Sequence, residues 1–138
     1  MKSILTILFM LVPALAPAAD TGKDMGAACA ERAKAWFKEV HGDGRKTLKD
    51  GRAVKVGYEA RYNGKRKQCL VRETSDTPAQ GKRPAVSNVT VREIDTKDRY
   101  SVASLVRVGG KMKYCVVERK KCQSEQDWEK LAAPLMKE

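Results

Sequence analysis

Four cysteines, Cys29, Cys69, Cys115 and Cys122, constrain this 138-residue chain more than any other feature, because their chemistry depends on the compartment the chain reaches. The N-terminus speaks to that. Lys2 precedes a mostly apolar run, Ile4 to Leu15, which ends in Ala16-Pro17-Ala18. A positive residue, an apolar stretch and a small-residue A-x-A site make the layout of a secretory signal peptide. A spanning helix needs about 20 apolar residues, and Pro13 and Pro17 interrupt this run. A lipid anchor would need a cysteine at the cleavage point, whereas the first is Cys29. The reading is a signal peptide over residues 1–18, a mature chain from Ala19 or Asp20, one domain over 19–138, and a periplasmic or secreted location with no stable membrane span. An even number of cysteines in a small exported domain then predicts two disulfides. Zinc is the rival. No C-x2-C pair exists, and the single histidine, His41, is close to no cysteine in sequence, so neither metal nor cofactor is expected.

Residues 27–40 read as an amphipathic helix, with Cys29, Ala33, Trp36, Phe37 and Val40 on one face and Gly42 as its stop. Residues 42–51 are Gly-rich and aperiodic, a loop. Val54, Val56, Tyr58, Ala60 and Tyr62 alternate with polar residues as in a half-buried strand. Asn63-Gly64 signals a two-residue hairpin turn, which would set Tyr62 opposite Lys65, Tyr58 opposite Cys69 and Val56 opposite Val71. Thr74 to Ser87, with Pro78, Gly81 and Pro84, reads as a mobile loop. Strands are expected at Asn88–Ile94, Tyr100–Val108 and Lys111–Glu118, around turns at 95–98 and Gly109-Gly110. Ser124 and Asp127 form a capping pair for a short helix with Trp128, Leu131 and Leu135 on one side and Pro134 loosening its last turn. The fold class is α+β: an N-terminal helix, a five-stranded, mainly antiparallel sheet, a short C-terminal helix and two disulfides.

Four cysteines allow three pairings. The hairpin register puts Cys69 on the apolar face that the first helix must cover with Cys29, which favours Cys29–Cys69 and leaves Cys115–Cys122. A redox role would call for a C-x-x-C at a helix start, which is absent. The Cys-bearing helix, Tyr58-x-x-x-Tyr62-Asn63 followed by Lys67-Gln68-Cys69-Leu70-Val71, and Cys115-Val116-Val117 leading to Cys122-x-Ser124-x-x-Asp127-Trp128 together resemble a group of small exported bacterial proteins. Arg61 stands where that group has His, and Leu70 where it has an aromatic. The resemblance covers most of the mature chain and implies an exported, disulfide-stapled domain; it implies no activity.

Little in the chain points to catalysis. With His41 alone, two-histidine acid–base chemistry is excluded. A Ser-His-Asp triad would rest on a residue expected to be an exposed cap at a helix C-terminus. No cysteine is left as a nucleophile if both disulfides form. Gly42-Asp43-Gly44-Arg45-Lys46-Thr47 misses the spacing of a phosphate loop, and the acids are scattered among bases. The chain is read as no enzyme.

Charge is the outstanding feature. Without residues 1–18 the chain keeps 27 basic against 17 acidic side chains, a net +10. Residues 44–83 hold twelve of the bases against four acids, and residues 107–121 hold six against one. The densest clusters are Lys65, Arg66 and Lys67 at one turn and Arg119, Lys120 and Lys121 after the last strand. A simple meander would bring both to one sheet edge, three strand spacings or ~15 Å apart. These six residues are the candidate anion-binding site, against the plainer reading that they keep sheet edges soluble. Candidate partners are an anionic envelope component or an acidic protein. Sequence-specific nucleic-acid reading does not fit an exported chain with few stacking aromatics. The leading expectation is a non-enzymatic exported binding protein. The alternative is a periplasmic inhibitor or immunity-type protein that blocks an enzyme, with a small hydrolase a distant third.

Overall fold

The computed structural model describes residues 22–96 and 101–137. The signal peptide, the mature start at Ala19 or Asp20, Lys97 and Asp98 of the expected 95–98 turn and Tyr100 as a strand start lie outside the described residues.

The first helix, α1 (Gly22–His41), starts five residues earlier than the apolar periodicity does. Asp24 sits in its first turn and Lys38 and His41 in its last, matching the helix dipole. Gly42, at φ 63°, stops it by donating its N–H to the Lys38 carbonyl at 3.0 Å. Cys29, Ala33 and Trp36 are buried, as their spacing requires. Val40, expected on the same face, is 41% exposed.

Among the described residues seven strands follow, not five, in one antiparallel sheet ordered as in the chain: β1 (Arg45–Thr47), β2 (Ala53–Asn63), β3 (Gln68–Thr77), β4 (Val86–Glu93), β5 (Ser101–Val108), β6 (Lys111–Val117) and β7 (Lys120–Lys121). The two additions are the edges. Neither β1 nor β7 contains an apolar residue, so alternation could not reveal them; they exist because a neighbour offers ladder hydrogen bonds. Gly44, at φ 77°, makes β1 possible. Its carbonyl accepts the Val56 N–H at 2.7 Å, and a Cβ there would lie 2.5 Å from the Val56 carbonyl oxygen.

The β2–β3 turn corrects the expected register. Asn63 pairs with Gln68 and Tyr62 with Cys69, so the loop holds four residues, 64–67, and every partner differs by four from the two-residue reading. An even shift leaves each side chain on its expected face. Cys69 therefore still meets α1. The left-handed residue is Lys67 (φ 52°), not Gly64, and Asn63 Oδ1 closes the loop by accepting the Arg66 N–H at 3.0 Å.

Both ends of the expected 74–87 loop are strand, because β3 runs to Thr77 and β4 begins at Val86, which leaves 78–85 as the connection. The remainder is fastened at several points. Gln80 and Arg83 exchange both backbone hydrogen bonds, and Gly109 donates to Ala85. Arg83 pairs with Asp50 at 2.7 Å, and Asp50 also accepts from the backbone N–H and Nε of Arg52.

The two helices lie on opposite faces. On one, Ala33 and Trp36 of α1 pack on Val71, with Phe37, Ala60 and Ile94 beside them. On the other, α2 (Glu125–Ala132) and the 3-10 turn η1 (Ala133–Met136) cover the main core. There Trp128, Ala132 and Leu135 pack with Leu70, Val89, Val91, Leu105 and Val117. Ser124 caps α2 by accepting the Asp127 N–H, and Asp127 returns the favour to the Gln123 N–H. Leu131, expected inside, is 38% exposed, and Ala132 takes its place. α2 meets β5 and β6 while η1 meets β2 and β3, so the sheet wraps this C-terminal unit.

Both expected disulfides form. Cys29–Cys69 ties α1 to β3, and Cys115–Cys122 ties β6 to the segment before α2. No cysteine is free. The pair of disulfides fits an exported protein, and no helix among the described residues is long and apolar enough to cross a membrane.

Candidate functional site

The meander places the β2–β3 and β6–β7 turns at the same end of the sheet, as the strand order demands. Lys65, Arg66, Lys67, Arg119, Lys120 and Lys121 are all exposed there. The clusters are not ~15 Å apart as a flat sheet would leave them. The sheet curls, and Arg66 Nη1 donates directly to Glu118 Oε1. Arg66 Nε also donates to Gln68 Oε1 at 2.9 Å. Arg66, Ser101, Val102, Glu118 and Arg119 line one shallow cleft of about 260 Å3. Arg66 is thus partly neutralised by Glu118, whereas Lys65 and Lys67 in the same four-residue loop are exposed.

Backbone conformation marks the same place. The non-glycine residues with positive φ among the described residues are Lys67, Glu118 and Arg119, and all three lie in these two turns. Val117 pairs with Lys120, which leaves Glu118-Arg119 as a two-residue turn with both residues left-handed. That is the geometry twisted hairpins favour, but it is usually built from Asn and Gly.

At the opposite end of the sheet, Lys55, Asp76, Ser87 and Arg107 form one cross-strand row. The row borders a groove of about 520 Å3 with largely aliphatic walls from Ala53, Pro78 and Val86. The Arg107 guanidinium is engaged by Glu125 at 2.9 Å. That hydrogen bond raises the Arg107 pKa and lowers that of Glu125. Sequence reading missed this groove because most of its wall was taken for loop.

His41 is not the exposed cap expected of it. Its side chain is only 10% exposed, packs against Trp36 and Phe37, and meets Glu73 Oε2 through Nε2 at 2.9 Å. Arg92 Nε lies 3.8 Å from the same oxygen. The signal that could have placed it was its position one helical turn beyond Phe37. Tyr58, expected to be buried, is 37% exposed and stacks on Phe37 with ring centroids 4.5 Å apart.

Among the described residues no cluster of His, Cys, Asp and Glu could hold a metal ion. Comparison of the chain with protein-family models, with curated proteins and with solved structures finds no match in any of the three. The geometry therefore has to carry the functional reading by itself.

Proposed function

We propose that this protein is a non-enzymatic exported binding module whose basic end, Lys65, Arg66, Lys67, Arg119, Lys120 and Lys121, attaches to an anionic envelope component. The observation that carries the reading is conformational. Lys67 and Arg119 occupy left-handed backbone positions, which cost an L-residue about 1–2 kcal/mol and glycine almost nothing. Charges that merely keep an edge soluble have no need of such positions. Their convergence on one end concentrates positive potential where a polyanion can reach it.

Retention on vesicles rich in anionic phospholipid tests this. The K65E/K67E/K120E variant spares Arg66, whose reversal would set two carboxylates together at Glu118. It should lose retention, most visibly at low salt, where screening is weak. The matched K23E/K34E/K82E variant changes charge equally on α1 and the 78–85 loop and should keep most of it. Equal loss in both would mean that only bulk charge matters; no loss in either would leave the turns as solvated edges. Capture of an envelope enzyme that persists at high salt would favour the inhibitor reading instead.

A further inference from the structure

β2 is eleven residues long, yet β1 pairs with only Ala53, Val54 and Lys55 of it. From Gly57 to Asn63 its outer edge has no strand partner among the described residues. The direction of its hydrogen-bonding groups is fixed by Val56, whose N–H points outward to Gly44. Strand groups alternate, so the N–H and C=O of Tyr58, Ala60 and Tyr62 also point outward. An unpaired edge of this length is a template for one kind of partner, another strand.

The side chains specify which strand. Tyr58-Glu59-Ala60-Arg61-Tyr62 reads alike in both directions except that its charges exchange sign. We propose that two copies of this chain pair through antiparallel β2 edges with the two-fold axis at Ala60. In that register Ala60 faces its own counterpart, Tyr58 faces Tyr62 of the second copy, and Glu59 faces Arg61, each heterotypic pair occurring twice. The outward groups make Ala60–Ala60 and both Tyr58–Tyr62 pairs the hydrogen-bonded ones. Glu59–Arg61 pairs are then the non-hydrogen-bonded ones, where opposing side chains approach most closely. Within one chain Glu59 and Arg61 already pair at 2.9 Å, with both side chains about half exposed, so the exchange between copies needs no buried group to move. The edge carries no net charge of its own, so the strongly basic chains are not driven apart at the contact. A closed, self-complementary interface of this kind ends at two copies.

Sedimentation equilibrium of the disulfide-bonded protein tests the proposal, with the intact fold of each variant checked by circular dichroism. The wild type should approach twice the mass of one chain as concentration rises. Ala60→Pro removes an N–H that faces outward, which an edge strand tolerates. It deletes both central hydrogen bonds of the pair and should weaken association about tenfold or more. Glu59→Arg alone and Arg61→Glu alone each set like charges opposite one another and should stay monomeric. Mixed in equal amounts, they place opposite charges at both positions and should associate with each other. A wild type that stays monomeric throughout overturns the proposal. So does a mixture no heavier than its separate components, or an Ala60→Pro variant that associates like the wild type.

Discussion

The side-chain amide of Asn63 donates to the Leu135 carbonyl at 3.0 Å, joining residues 72 positions apart. The same Nδ2 reaches the Pro134 carbonyl at 3.0 Å, while Oδ1 accepts the Arg66 N–H. One buried side chain thus shapes the basic β2–β3 loop and fastens the C-terminal η1 turn to the sheet.

Replacing Asn63 with Ala should cost about 2–3 kcal/mol, because two carbonyls and one N–H lose their partner in a largely buried setting. Urea unfolding measures the loss. Proteolysis at the C-terminal segment should quicken in parallel. A variant within about 0.5 kcal/mol of the wild type would mean that water replaces Asn63 there.

The two disulfides should contribute unequally. Cys29–Cys69 spans 40 residues and Cys115–Cys122 spans seven. In the chain-entropy model they are worth ~4 and ~2.5 kcal/mol. The C29A/C69A double variant should therefore be the less stable of the two by about 1–1.5 kcal/mol in denaturant titration. The reverse order would show that the short bridge acts through the β6–β7 turn it holds rather than through the unfolded chain.

Asp50 sets an acid-sensitive fastening. The Arg52 backbone N–H it accepts, together with the charges of Arg52 and Arg83, holds its carboxyl below the usual 3.8. A carboxylate whose pKa falls on folding adds stability above its unfolded value and loses it as pH drops through the folded one. The stability gap between wild type and Asp50→Asn should thus be present at about pH 5 and close progressively below about pH 4. A gap that stays constant down to acid unfolding would assign the difference to hydrogen-bond geometry instead of charge.

Lys67→Gly separates conformation from charge. Relief of the left-handed strain, less the entropy glycine loses on folding, should stabilise the domain by about 0.5–1 kcal/mol. Retention on anionic vesicles should fall all the same. A glycine variant that is more stable and binds as well as the wild type would remove the main support for the proposed basic site.

Much of the architecture was legible because it rests on local periodicity. The spacing of Cys29, Ala33 and Trp36 marks the face of α1, and the alternation from Val54 to Tyr62 marks the face of β2. The cysteine pairing followed from face alone, so the four-residue error in register, being even, did not disturb it. What tertiary structure decided lies where partners are remote in sequence. β1 and β7 are made by their neighbours' ladder groups, not by their own side chains. Asn63 builds a longer turn than Asn-Gly promises because its amide has carbonyls of η1 to satisfy. Curling of the sheet around α2 and η1 sets Arg66 against Glu118, which no reading of separate turns could supply. Periodicity reports which side of an element meets the core; only the packed chain determines which elements meet each other at their ends, because those contacts depend on how the whole sheet bends.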